Sequence, residues 1–156
     1  MKTVGGDYRL RRASRTDAPA VETLFAELLR SLGEASAGGY ESGYLERFFT
    51  GGEDWICLAE SAAGVVGYLS VELHREARPF LYLDDFCVTE TWRNRGVGSA
   101  LLAAAETYAR EKGVEAICLH VDRANEKARR LYERRGYAVD ETQGERFRML
   151  RKIGEQ

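Results

Sequence analysis

A chain of 156 residues, 44% hydrophobic and 31% charged, has the length for one domain with a buried core and a globular, not a disordered, composition. Its formal net charge of −2 excludes the global basic field that nucleic-acid binding uses, and clusters such as Arg9, Arg11 and Arg12 read as solvated faces. No 18-residue apolar run or leader-like segment is found, and three cysteines and two histidines without metal-ligand spacing predict a reduced, cytoplasmic, metal-free protein.

Residues 8–14 alternate and predict a first strand. From Asp17, a candidate N-cap with Pro19 just inside it, Val21, Leu24, Phe25, Leu28, Leu29 and Leu32 recur at helical spacing until Gly33. A loop over 34–40 and a short helix closed by Gly51 and Gly52 follow. Three strands come next as a meander, over 55–61, 65–74 and 79–89. After "RNRGVGS" (93–99), Leu101, Leu102, Ala105, Tyr108 and Ala109 mark one face of a helix that Gly113 ends. A strand over 115–121, a helix from Asn125 to Gly136 and an antiparallel pair around Gln143 and Gly144 close the chain. This order predicts one α+β domain over residues 1–156 with a central mixed sheet.

Residues 81–102, "LYLDDFCVTETWRNRGVGSALL", hold the features that point to chemistry. Leu81 and Leu83 share one parity, while Phe86 and Val88 share the other, so strict alternation cannot bury both pairs on one face. An extra residue at Asp84-Asp85, a β-bulge, restores the phase; the alternative is a strand buried on both faces. The turn that follows has Gly96 and Gly98 between a strand and a helix start, where free N–H groups suit an anion, most often phosphate. It is neither a dinucleotide fingerprint nor a P-loop. Arg93 and Arg95 add fixed positive charge suited to a pyrophosphate.

From Leu83 to Tyr137 the chain resembles the GNAT superfamily of acetyl-CoA-dependent N-acetyltransferases. "RNRGVG" resembles that family's R/Q-x-x-G-x-G/A signature through Arg93, Gly96 and Gly98. "NEKARRLYERRGY" resembles its second block through Asn125, Tyr132, Gly136 and Tyr137. "YLDDFCV" is most similar to diamine acetyltransferases of the spermidine/spermine type, which carry a Glu-Asp pair where this chain has Asp84-Asp85, one methylene shorter at the first position.

The resemblance implies an α/β/α sandwich whose central mixed, mostly antiparallel sheet splays at the fourth and fifth strands. It also implies acetyl-CoA as cosubstrate and a primary amine of a small molecule as acceptor. Acetyl-CoA would be held along Phe86, Cys87 and Val88, by Arg93, Asn94, Arg95, Gly96, Val97, Gly98 and Ser99, and by Asn125 and Ala128. The Val88 N–H would face the oxyanion. An amine with a pKa of about 10.4 must lose a proton before it attacks, which assigns Asp84 and Asp85 to binding the ammonium and, through a water, to accepting the proton. The sequence does not rank the two. Tyr132 would protonate the departing thiolate. Tyr40 and Glu41 would edge the acceptor site, and Glu34 would add negative potential. Cys87 reads as core filler, since an acyl-cysteine route needs an adjacent base, and His120 as a strand end. Aminoglycoside or protein N-acetylation and a catalytically silent acetyl-CoA-binding module stand as alternatives. No nucleic acid or membrane partner is expected, and a homodimer stays open.

Overall fold

The computed structural model describes residues 3–4, 7–33 and 39–154. Its strands are β1 (Thr3–Val4), β2 (Tyr8–Arg12), β3 (Trp55–Ser61), β4 (Gly64–His74), β5 (Phe80–Val88), β6 (Ala116–Asp122), β7 (Ala138–Gln143) and β8 (Arg146–Lys152). Its helices are α1 (Ala18–Ser31), α2 (Val97–Lys112) and α3 (Glu126–Arg134). The order matches the sequence expectation except that β1 is an added strand and the short helix is a 3-10 turn over Tyr44–Phe48. The chain divides into two compact units, Met1–Ser70 with Asp85–Leu101, and Val71–Asp84 with Leu102–Gln156. Strands β4 and β5 and helix α2 each run from one unit into the other.

In the first unit the hydrogen-bonded order is β1-β2-β3-β4-β5, with β1–β2 and β2–β3 antiparallel. Ala13, Val21, Leu24, Leu45, Phe48, Ile56, Leu58, Tyr68 and Cys87 form its core. The helical spacing of α1 thus places Val21 and Leu24 inward. Leu32 departs from the expected stripe: the helix ends at Ser31 and Leu32 is 51% exposed. Asp17 sits at the N-cap of α1, but its carboxylate serves other partners. It accepts from Arg11 at 2.8 and 2.9 Å and from the Ser14 N–H at 2.8 Å, closing the 3-10 turn before α1.

In the second unit the order is β4-β5-β6-β8-β7. The β5–β6 pair is parallel and covers Phe80–Leu83 against Ala116–Leu119. Pairing ends at Leu83 and Leu119, although β5 runs on to Val88 and β6 to Asp122. These are the fourth and fifth strands of the sequence reading. Strand β8 pairs antiparallel with β6 over seven registers and with β7 across a register shift between Val139 and Glu141. Val71, Leu81, Leu102, Ile117 and Met149 are fully buried here.

One buried charge organises this unit. Glu106 of α2 is 2% exposed and accepts from Arg135, just past α3, at 2.6 Å and from Arg151 of β8 at 3.0 Å. Removing one member of such a group leaves the others buried without compensation. Since the two arginines stay partly solvated, Glu106→Gln is expected to cost about 2–3 kcal/mol. The thermal midpoint should fall by several degrees; an unchanged midpoint would show that the cluster contributes nothing to stability.

Candidate active site

In the first unit, β5 leads through a 3-10 turn, Glu90–Trp92, into an exposed turn over 93–96 and then into α2. Asn94 has φ 63° and Gly96 φ 86°. The Ala100 N–H donates to Gly96 O at 3.0 Å, so the N–H groups of Val97, Gly98 and Ser99 precede the first helical bond and face outward along the axis. A Cβ built on Gly96 meets nothing within 4 Å. The turn therefore presents a positive helix end, with open space where a side chain on Gly96 would stand, and its free N–H groups are a donor set that suits a pyrophosphate.

The sequence assigned Arg93 to the anion. The structure gives its guanidinium two protein partners: Nε donates to Val88 O at 3.0 Å, and Nη2 lies 3.5 Å from Glu27 Oε2. Glu27 of α1 also accepts from Thr89 Oγ1 at 2.8 Å and from the Glu90 N–H at 2.9 Å. Arg93 and Glu27 thus shape the turn from below. Sequence reasoning missed Glu27, an ordinary exposed-type residue on a helix with no local signal. Arg95 stacks its guanidinium 4.4 Å from the Trp92 ring centroid.

Gly67, inside β4, has a steric reason. A Cβ there would lie 3.0 Å from Cys87 O and 3.4 Å from side-chain atoms of Val88 and Val97. Strand β4 therefore lies close under both the end of β5 and the first residue of α2.

The parity argument for a bulge fails on burial. Leu81, Leu83 and Cys87 are 0%, 3% and 4% exposed, all at odd positions, and Phe86 and Val88 are half-buried. The small thiol, not the aromatic ring, is the core residue, so the phase needs no extra residue. At Asp85 a side chain reaches the strand backbone. The Asp85 N–H donates to Ser70 Oγ at 2.9 Å, and that hydroxyl lies 3.4 Å from Asp85 O.

The same alternation separates the two carboxylates. Asp84 is exposed, while Asp85 is half-buried at the odd position between Leu83 and Cys87. Tyr40 donates to Asp85 Oδ2 at 2.6 Å, and the Tyr40 and Tyr68 hydroxyls are 2.9 Å apart. The Tyr40 ring stacks on Phe25 at 3.9 Å and on Tyr44 at 5.1 Å. Tyr40 is thus joined to Asp85, whereas Glu41 is exposed and contributes its backbone oxygen to the Tyr44 N–H at 3.0 Å. Glu34 lies outside the described residues. Tyr68 was not foreseen: inside a buried apolar strand its ring reads as core. Cys87 behaves as expected. Its Sγ donates to Leu24 O at 3.3 Å, and burial, followed by the charge of Glu27, pushes its thiol up to about 12, far from a thiolate nucleophile at neutral pH.

In the second unit, Asn125 caps α3: its Oδ1 accepts from the Ala128 N–H at 3.1 Å. That bond occupies the Ala128 N–H. Tyr132 lies seven residues on, 7% exposed, with its ring edge-on to Tyr137 at 6.0 Å. Burial raises its phenol above the ordinary value, so it holds its proton throughout the neutral range. His120 is more engaged than a strand end. Its Nδ1 is 2.7 Å from the Tyr82 hydroxyl and its Nε2 2.9 Å from Gln143 Oε1. An amide oxygen at Nε2 requires Nε2–H, so Nδ1 accepts from Tyr82. The Tyr82 phenol is pushed up to about 12, by burial first and then by the charge of Asp84.

Among the described residues no helix is long and apolar enough to cross a membrane. Comparison with known proteins places this geometry. The model of the "Acetyltransferase (GNAT) family" matches residues 21–137. The chain is 30% identical over 138 residues to the uncharacterized N-acetyltransferase YhfO of Bacillus subtilis, covering 84% of this chain and 90% of that protein. Over 97 residues, 58% of this chain but 31% of the relative, it is 47% identical to a mycothiol acetyltransferase of Propionibacterium freudenreichii subsp. shermanii. Among solved structures, the PaiA N-acetyltransferase of Thermoplasma acidophilum in complex with coenzyme A shares the fold at TM-score 0.73 and 21% identity, over 94% of this chain and 99% of that one. A GNAT-family acetyltransferase of Listeria monocytogenes does so at TM-score 0.76 and 20% identity, over 97% and 99%. The α+β fold, the glycine turn at the start of α2 and the family match agree: this chain belongs to the acetyltransferase (GNAT) family, the acetyl-CoA-dependent N-acetyltransferases.

Proposed function

We propose that this enzyme acetylates a primary amine of a small molecule by direct transfer, in the manner of the diamine acetyltransferases that its "YLDDFCV" strand resembles, and that residues 1–156 act as one catalytic domain in the cytoplasm. The observation that carries the reading is the sequence of features along one continuous segment. Two adjacent carboxylates are followed by three strand residues and then by the open, positive turn at Gly96. The backbone at Phe86, Cys87 and Val88 suits the amide-rich pantetheine arm, and the turn from Arg93 to Ser99 suits the pyrophosphate. The Val88 N–H is assigned to the oxyanion.

Asp84 and Asp85 lower the free energy of an approaching ammonium and supply a proton acceptor. Tyr132, held neutral by burial, supplies the proton that the departing thiolate takes up. Acetyl-CoA brings the activated thioester; every other contribution here is made by the chain.

The deciding experiment offers acetyl-CoA with spermidine, an aminoglycoside or a short peptide with a free α-amine, and reads release of free thiol. Turnover of spermidine or the aminoglycoside supports a small-molecule acceptor. Turnover of the peptide alone overturns it in favour of protein N-acetylation. Acetyl-CoA binding without thiol release in any arm identifies a silent binding module.

Asp84 is exposed, so it reaches a proton through solvent and not through a dry contact. Asp84→Asn is expected to lower kcat by about 10²-fold, the lower end for a general base, and to leave the KM for acetyl-CoA unchanged. Partial recovery at high pH should accompany the loss, because the free-amine fraction then grows without help. Wild-type kcat in this variant would remove Asp84 from the proton path.

A further inference from the structure

We propose that Tyr40 and Tyr68 are positioning residues for Asp85: they form a directed hydrogen-bond chain that holds this carboxylate ionised and aimed, which makes Asp85 the ammonium-binding member of the pair. The proposal rests on the amine-acetyltransferase reading above and divides labour between two residues that the sequence left equivalent.

The direction of the chain follows from its chemistry. An ionised carboxylate only accepts, so the Tyr40 hydroxyl spends its one hydrogen on Asp85 Oδ2, at 2.6 Å. The Tyr40 oxygen is then left as the acceptor at the 2.9 Å contact with Tyr68, and Tyr68 donates. A hydroxyl whose own lone pair is engaged by a donor is a stronger donor onward. The chain cannot invert by ionisation of Tyr40. Burial first, and then the neighbouring Tyr68 and Asp85, raise its phenol well beyond the ordinary range. Nor can the hydroxyl swing away readily, because the ring is stacked on Phe25 and on Tyr44 with interplanar angles of 10° and 8°. Ser70 fixes the other end of the residue. It binds the Asp85 N–H at 2.9 Å and is itself 1% exposed. Backbone and carboxylate are thus both held, which is what preorganised charge requires.

Titratable groups around Asp85 include Asp84 and Cys87 on β5 itself, Tyr40 from the loop after α1 and Tyr68 from β4, with Glu27 of α1 and Arg93 of the turn also acting on Cys87. Cys87 is neutral at pH 7 and spends its hydrogen on Leu24 O, and Arg93 is directed to Val88 O and Glu27. Of the groups in this set, the phenolic donor is the one that touches the carboxylate. A hydrogen bond to the charged form favours that form, so Tyr40 biases this carboxylate toward the negative form that faces an ammonium, and Asp84 is left for the proton.

The test uses full-length protein with 13C-labelled aspartate, and compares wild type, Tyr40→Phe, Asp85→Asn and the double variant. The Asp85 carboxyl titration should move up by about one pH unit in Tyr40→Phe, the worth of one hydrogen bond to a charged group. With the panel amine that turns over fastest, the acceptor KM should rise about tenfold in Tyr40→Phe, by the loss of that share of ammonium binding. The KM for acetyl-CoA should stay unchanged. The double variant should be no worse than Asp85→Asn alone, because Tyr40 acts through Asp85. An unmoved titration, an unchanged acceptor KM or additive losses would each overturn the proposal. If Tyr40→Phe does not fold, Tyr68→Phe replaces it, with a smaller upward movement expected and none overturning the chain. If wild type acetylates no panel amine, the functional reading fails, and the carboxyl titration still decides whether Tyr40 governs Asp85.

Discussion

Tyr132→Phe is expected to lower kcat by about 10²–10⁴-fold, the usual worth of a positioned general acid, with little effect on folding or on acetyl-CoA binding. The substitution removes one oxygen from a ring that is 7% exposed and stands edge-on to Tyr137, so the packing of α3 is kept. Burial raises the phenol above its ordinary value, and a raised acid keeps its proton to higher pH. Wild-type activity should accordingly show no alkaline loss from this group below about pH 10. Single-turnover measurements of thiol release at several pH values check both parts. Full activity in a folded Phe variant would return Tyr132 to a packing role.

Gly96→Val is expected to abolish the stabilisation of the protein by acetyl-CoA. A ligand at a hundred times its dissociation constant adds about 2.7 kcal/mol, which for a chain of this size is a rise of roughly 5–10 °C in the thermal midpoint. The valine has two consequences that can be separated. Gly96 has φ 86°, where a β-branched residue is strained, so the midpoint without ligand should fall by a few degrees. Its Cβ otherwise meets nothing in the protein, so the side chain stands in open space at the turn instead of clashing with the core. The loss of the ligand-induced rise is therefore the specific effect. A variant that keeps the full rise would show that acetyl-CoA does not use this turn.

The element order was legible in the sequence because its signals are local. The stripe from Val21 to Leu28, the Asn125 cap and the glycines that end α2 and α3 each depend on residues within a few positions. The turn at Gly96 was legible for the same reason. Asp85's surroundings were not. Its partner Tyr40 and, behind it, Tyr68 lie 45 and 17 residues upstream, and Tyr68 sits in an apolar strand where nothing distinguishes a hydrogen-bonded phenol from a packed one. Phase in β5 was misjudged because side-chain size was taken as the sign of burial, while Cys87, the smallest of the three apolar candidates, is the one that fits against α1. Arg93 stood out in the sequence through its charge and its place in the glycine-turn motif, but its neighbour Glu27, 66 positions away, is brought to the turn only by the fold.

The burial of the cysteines has a chemical consequence for an enzyme that releases a free thiol at each turnover. Cys57, Cys87 and Cys118 are 2%, 4% and 8% exposed and unbridged. Burial pushes the first two up to about 12 and raises the third. Thiol–disulfide exchange and S-acylation both begin with an accessible thiolate. With none presented, oxidised coenzyme A finds no sulfur to form a mixed disulfide with, and the thioester finds no sulfur on which to park its acyl group. These three cysteines therefore offer the substrate and product of the reaction no reactive sulfur.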